Sequence, residues 1–336
     1  MKILVATHGH CFDGLASAAL FTRMLQNIEG ARAKFEYVGC GYGSGQSNAT
    51  ANALCGDQNA ILDYRFSPSE KLTWYFDHHR TAFANDDDHS VFEKNSDNGR
   101  FFFDADCTSC TKLIAQTATE KFGMDLTPLN ALIDWADRVD SANFRSPDEA
   151  IDRSDPLMRL VTVVEHYGDD AFLNRFVPDL LRKPLDEIAN SGYVTKRYRP
   201  LGKKHEHFVE RVKSRAQIRG RVVLVDLTDA LLETIGKFVT YALYPDSMYS
   251  VVVARLKNGA KISVGFNPWA GHTLDCDISA ICARYGGGGH PVVGGIAFPG
   301  DQLERAKQVA TDICNELDGI IIAHRDSDSQ EIAAPS

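Results

Sequence analysis

The sequence predicts a two-domain α/β protein: a parallel-sheet domain at the N-terminus, a smaller mixed-sheet α/β domain at the C-terminus, and a cleft between them. Three observations predict it. Short apolar runs rich in β-formers alternate with stretches of helical apolar spacing, the mark of a parallel sheet covered on both faces. Acidic and histidine residues gather where those runs end. The length, 336 residues, corresponds to about two domains at roughly 100–200 residues each.

Taken in order, "KILVAT" is the first strand, and "DGLASAALFTRMLQN" follows with Leu15, Ala18, Ala19, Phe21 and Leu25 at helical spacing. "KFEYVGC" reads as a strand and "GYGSGQSNATANALCGD" as a Gly/Ser/Asn loop running into a weak helix. "NAILDY" is a buried strand ending in Asp63, "SPSEKL" a helix start with Ser67 as cap and Glu70 three residues on, and "LTWYFDHH" a strand. "CTSCTKLIAQTATEKFG", "LTPLNALIDWADRVDSANF" and residues 155 to about 190 read as helical.

Between Thr195 and Arg221 there are ten Lys or Arg against two Glu, which reads as a long exposed helix. Its bland role is a solvated linker; its functional one is positive potential in the cleft. Beyond it, "RVVLVDLT", "SVVVARLK" and "AKISVGFN" are strands. "DISAICARYGGGGHPVVGGIAF" is a helix, a glycine loop with a histidine, and a strand, and "LERAKQVATDICNELDGIIIAH" is a final helix. The expected boundaries are a first domain over 1–190, a basic helical linker over 191–220, a second domain over 221–325 and a disordered polar tail over 326–336.

Composition narrows the function. A net charge of −9 argues against a general nucleic-acid coat protein, because such binding rests on many Lys and Arg contacts. A local basic cleft is still compatible with it. No apolar stretch approaches the roughly 18 residues of a membrane span, and the opening has no signal-peptide pattern. The eight cysteines are therefore expected as free thiols in a cytoplasmic protein. Cys107-Thr-Ser-Cys110 lacks the second ligand pair of a structural zinc site. A redox motif has the same spacing, but a plain helix start is the preferred reading.

The chemistry sits in three clusters at strand ends: His8 to Asp13 within "THGHCFDG", Asp63, and Asp77-His78-His79. A fourth, Asp137 with Asp140, lies on or after a helix. Ligands of an open parallel sheet bind outside the carboxyl ends of its strands, so these groups are expected to converge. Carboxylates and imidazoles suit Mn²⁺, Mg²⁺ or Fe²⁺ better than structural zinc. In the second domain, Gly286 to Gly289 with His290 leaves backbone amides open to a phosphate, and Arg284 could add charge. The alternative there is a flexible hairpin loop.

"FDHHRTAF" followed some 200 residues later by "GGGGHPVVGG" resembles the DHH phosphoesterase superfamily over residues 1 to about 325. That superfamily includes RecJ-like exonucleases, oligoribonucleases, cyclic-dinucleotide phosphodiesterases and family II pyrophosphatases. The resemblance implies a DHH metal-binding catalytic domain and a DHH-associated substrate-binding domain. It implies two Mn²⁺ ions, with Mg²⁺ or Fe²⁺ as alternatives. His8 and Asp13 match the first motif, Asp63 the bridging ligand, and His78 a ligand of one metal. Asp77 belongs to the same motif, and His79 and Arg80 would face the substrate phosphate. The fourth motif places a ligand at Asp140 in one version and at Asp137 in another, and the reading leans to Asp137. Arg284, Gly287, Gly288, Gly289 and His290 match substrate-binding positions. Cys11 stands where the family usually has an aspartate, so the first metal would take its thiolate or nothing from that position. His10 is expected to point away.

The implied function is a metal-dependent phosphohydrolase acting on small nucleotides or short oligonucleotides by two-metal activated water. One alternative is an exopolyphosphatase- or pyrophosphatase-like hydrolase of phosphoanhydrides. The other is a nucleotide-binding regulatory module with impaired catalysis. No long-DNA-binding module and no membrane partner are expected, and a homodimer is compatible with this reading.

Overall fold

The structure, a computed structural model, describes residues 1–30, 33–41, 53–232, 236 and 238–319. The chain divides into two compact units, residues 1–145 with 152–202 and residues 146–151 with 203–336.

In the first unit β1 (Lys2–His8), β2 (Lys34–Cys40), β3 (Gln58–Leu62), β4 (Trp74–Asp77) and β5 (Phe101–Phe103) form one sheet in the order β2-β1-β3-β4-β5, every pair parallel. The sheet is buried on both faces, which is why its central strands read as near-continuous apolar runs. Period-two alternation divides their side chains. Ile3, Val5, Ala60, Leu62, Trp74 and Phe76 face one core, while Leu4, Ala6, Ile61 and Tyr75 face the other.

The first core is built around α1 (Phe12–Glu29), apolar nearly all round and surrounded by other helices. They are α3 (Cys110–Phe122), α4 (Asn130–Asp140), α6 (Pro156–Tyr167) and α7 (Asp170–Leu180), numbered in chain order after α2 (Asp86–Ser96) and around α5 (Pro147–Ile151). Phe21 of α1 meets Trp74 and Phe76 edge-on at 5.8 and 6.2 Å; burying one such side chain contributes roughly 1.5–3 kcal/mol. The second core is aromatic: Phe66 packs edge to face against Tyr75, Phe92 and Phe101, with Phe92 supplied by α2. The helix α8 (Leu185–Ala189) closes the first core.

In the second unit the sheet order is β10-β11-β9-β8-β7-β6, with β7 and β8 parallel and the other pairs antiparallel. Its strands are β6 (Ala216–Arg219), β7 (Val222–Leu231), β8 (Tyr249–Leu256), β9 (Gly259–Phe266), β10 (Gly288–His290) and β11 (Val293–Pro299). The helices α11 (Ile278–Ala283) and α12 (Leu303–Leu317) cover one face. The other face meets α10 (Val239–Leu243) and the C-terminal end of α9 (Gly192–Arg215).

Several expectations change. The basic segment is helical only to Arg215; from Ala216 it pairs antiparallel with β7 as an edge strand. Residues 146–151 group with the second unit. "SPSEKL" forms no helix. Asn59 donates its side-chain amide to the Lys71 carbonyl (2.9 Å), and the Thr73 hydroxyl donates to the Asn59 carbonyl (2.8 Å), holding the segment as a turn. The glycine loop is in part a strand: Gly288 and Gly289 pair with Gly295 and Gly294. The weak helix after Gly41 and the polar tail lie outside the described residues. Among the described residues no helix is long and apolar enough to cross a membrane.

The start of α1 sits directly against the end of β1. A Cβ on Gly14 would lie 2.2 Å from the His8 carbonyl oxygen. Gly14→Ala is therefore expected to destabilise the protein by roughly 1–3 kcal/mol, read as a lower urea midpoint at unchanged slope.

Candidate metal centre

The site lies wholly in the first unit, where the strand order switches direction between β1 and β3, the place such sheets bind ligands. His8 ends β1, Asp63 follows β3, and Asp77 ends β4 with His78 and His79 behind it. Asp63 has φ +53. That left-handed backbone costs a non-glycine residue roughly 1–2 kcal/mol. Its amide donates to the Phe76 carbonyl at 2.9 Å, which ties the turn to the neighbouring strand.

Asp63 is 0% exposed, and neither carboxyl oxygen has a hydrogen-bond partner. Three imidazoles surround it. His8 Nδ1 lies 3.7 Å from one oxygen; His78 Nε2 and His79 Nδ1 each lie 3.7 Å from the other. Burial pushes the Asp63 carboxyl up, but His78, His8 and His79 outweigh it and hold it well below the usual carboxylate range. It is thus an ionised, buried carboxylate with no donor satisfying it, an arrangement that calls for a cation.

His78 Nδ1 faces the Cys107 carbonyl oxygen at 3.1 Å. Donating its N–H there leaves Nε2 toward the carboxylates, as in metal-ligating histidines. Nε2 is buried without a hydrogen bond, although Asp140 Oδ2 lies 3.2 Å away and Asp13 Oδ2 4.0 Å. Burial pulls His78 down, yet Asp140 and Asp63 raise it to about 11.

Asp77 behaves differently from its neighbours. It accepts from the His78 and His79 amides (2.8 and 3.3 Å), from His79 Nδ1 (2.7 Å) and from the Tyr75 hydroxyl (3.1 Å). Four donors thus occupy its oxygens, two of them from His79, which it orients.

Asp13 lies against the N-terminus of α3. Its two oxygens accept from the amides of Cys110 (2.8 Å) and Thr111 (3.0 Å), where the helix dipole favours negative charge. Burial, then Asp63 and Asp140, push its carboxyl up. Asp140, at the end of α4, joins this group. Asp137, toward which the sequence reading leaned, does not. It accepts from Lys112 Nζ (3.1 Å), Ser109 (3.1 Å) and Thr108. One helical turn separates the two aspartates; that turn places Asp137 on the side chains of α3 and carries Asp140 to the strand ends.

Ligand atoms thus converge in three overlapping groups, each within 4.8 Å: His8, Cys11 and Asp63; Asp63, His78 and His79; and Asp13, His78 and Asp140. Metal–ligand bonds of about 2.0–2.2 Å would bring such atoms to spacings close to those seen. With two orphaned residues at the centre, the set fits divalent cations. Burial, then Asp63, Asp140 and Asp13, push the Cys11 thiol well up.

The other predicted residues lie elsewhere. Arg80 is exposed, 3.9 Å from exposed Asp106. His10 is exposed with φ +56, its amide donating to the Gly168 carbonyl at 3.0 Å, outside the groups. In the second unit Arg284 is held by both carboxyl oxygens of Glu316 at 2.5 Å, so its charge is already matched. A Cβ on Gly287 or Gly289 would lie 2.2 Å from a carbonyl of β11, so these glycines serve the close pairing of the hairpin. Gly288 and His290 are exposed. The CxxC is a helix start, with Cys110 buried and its thiol on the Phe76 carbonyl at 3.3 Å. What sequence reasoning missed is the Cys107 carbonyl beneath His78; a main-chain contact leaves no signal in residue type.

No family model matches the chain, and no curated protein matches it. Solved structures do. The pGpG-specific phosphodiesterase PggH from Vibrio cholerae is 19% identical with a TM-score of 0.66, over 94% of this chain and 99% of that one. The DHH domain of a member of a ribosomal-protein family is 12% identical with a TM-score of 0.57, over 94% and 86%. RecJ from Thermus thermophilus in complex with Mn²⁺ is 11% identical with a TM-score of 0.57; 94% of this chain spans 52% of RecJ. The chain shares their fold.

A cation must displace the proton that His78 holds through neutral pH, so affinity for Mn²⁺ is expected to fall as pH falls. Calorimetric titrations in buffers of different ionisation heat should show proton release. At about 100 times its dissociation constant the ion should add roughly 2.7 kcal/mol of stability, seen as a higher melting temperature in wild type and not in Asp63→Ala.

Proposed function

We propose that this chain, built on the DHH phosphoesterase fold, is a metal-dependent phosphohydrolase of small nucleotides or short oligonucleotides. The observation that carries the reading is Asp63, buried and unsatisfied, and within the reach of ligand groups on both sides. Divalent cations held there would supply Lewis acidity at phosphorus and a nucleophile at neutral pH.

The chain's own groups do the rest. Asp63 would be the carboxylate shared by two ions. His8 and Cys11 stand on one side; His78, Asp13 and Asp140 stand on the other. His79 is part-exposed and locked by Asp77. Burial lowers its pKa, but Asp77 and Asp63 outweigh that and raise it; with the ring oriented by Asp77, its other nitrogen is the proposed contact for a phosphoryl oxygen. In the second unit, exposed His290 and the glycine amides are the proposed phosphate contacts; Arg284 is set aside because Glu316 holds it. The net charge of −9 favours a short substrate over long DNA, and the fold shared with a pGpG-specific phosphodiesterase supports the same size class.

The test is a screen of Mn²⁺-loaded protein against di- to pentanucleotides, cyclic dinucleotides, 3′-phosphoadenosine 5′-phosphate and polyphosphate, with metal content measured on the same sample. Turnover on short nucleotides is expected. No turnover on any of them with two equivalents bound would sink the reading. Asp63→Ala should lose both metal and activity. His79→Ala should keep its metal and lose roughly 10²–10³-fold in kcat. Asp140→Ala should weaken Mn²⁺ binding far more than Asp137→Ala; the reverse order would return the ligand role to Asp137.

A further inference from the structure

We infer that Cys11 is a metal ligand in its own right, making the His8–Cys11–Asp63 group selective for a thiophilic divalent cation such as zinc, iron(II) or cobalt(II) over magnesium. The inference rests on the metal-centre reading above and deepens it.

Three observations carry it. Cys11 Sγ, a ring nitrogen of His8 and a carboxyl oxygen of Asp63 lie within 4.8 Å of one another. The Asp63 oxygens are fully buried and lack any hydrogen-bond donor, so the group contains an unsatisfied charge aimed at the same space. Finally, Cys11 occupies the N-cap of α1 with extended backbone, φ −127 and ψ 135. Serine, threonine, aspartate and asparagine are favoured there because their oxygens cap the first turn. The Cys11 side chain makes no cap hydrogen bond by geometry, although the Gly14 amide interacts with its thiol. A thiol is a weaker acceptor than the favoured oxygens, so the cap alone does not explain the residue.

The two ion positions then differ in chemistry. Asp13, His78 and Asp140 offer only oxygen and nitrogen, the donors that suit manganese and magnesium. His8, Cys11 and Asp63 mix sulfur, nitrogen and oxygen, and sulfur disfavours magnesium. As the sulfur–metal bond forms, the thiol proton leaves to solvent.

Cobalt(II) titration tests this without any activity assay. A thiolate on cobalt gives an intense near-ultraviolet charge-transfer band. Wild-type protein should develop that band as cobalt binds. Cys11→Ser keeps a favoured N-cap and should still bind cobalt, by metal analysis, but lose the band. Cys11→Asp should lose the band and gain affinity for Mn²⁺ and Mg²⁺. A band that persists in Cys11→Ser, bound cobalt without a band in wild type, or no cobalt binding would each overturn the inference. A Cys11-dependent band in a protein that hydrolyses no phosphoester would overturn the proposed function and leave the ligand assignment standing. Hydrolysis with Mn²⁺ but no band would do the opposite.

Discussion

The buried Asp63 carboxylate is the constraint on which the site depends. Removing an ion from water costs several kcal/mol even after relaxation, and Asp63 has no hydrogen bond to offset that. Its left-handed backbone adds to the cost. Such a residue persists only where its surroundings over-determine it. Here they do: the strands on either side are largely buried, its amide is bonded to β4, and three imidazoles converge on it. Positive charge, from protons or from metal, is what makes the arrangement stable.

Around Asp63 the remaining carboxylates divide their work by what else they touch. Asp77 is saturated with donors and acts on His79. Asp13 is anchored by two amides of α3 and still turns toward His78. Asp140 has its closest charged neighbour in His78. Asp137 is tied to Lys112. Four aspartates of one composition thus have four roles, set by hydrogen bonding rather than by residue type. The Cys107 carbonyl completes the set by fixing which nitrogen of His78 faces the carboxylates.

The α/β class, the parallel first sheet and the convergence of His8, Asp63 and His78 were legible because they rest on local patterns. Buried parallel strands are apolar throughout, and polar residues at their ends stand out. The cap-like "SPSEKL" misled because Asn59 and Thr73, flanking it, tie the segment down. The glycine run reads in sequence as an open phosphate loop; the structure adds that at Gly287 and Gly289 β11 comes too close for a Cβ. The ion pair of Arg284 was not legible, because its partner Glu316 lies 32 residues on, in α12.

By itself the sequence determined which residue types crowd the strand ends, and therefore that a hard-donor cation site with one sulfur was available. Only the tertiary structure decided which of them converge. That decision turns on distances between residues far apart in the chain: one helical turn separates Asp140 at His78 from Asp137 at Lys112, and a register of parallel strands brings His8, Asp63 and His78 within 4 Å of shared partners. Coordination is a three-dimensional condition with tolerances of tenths of an ångström, and no one-dimensional spacing encodes it.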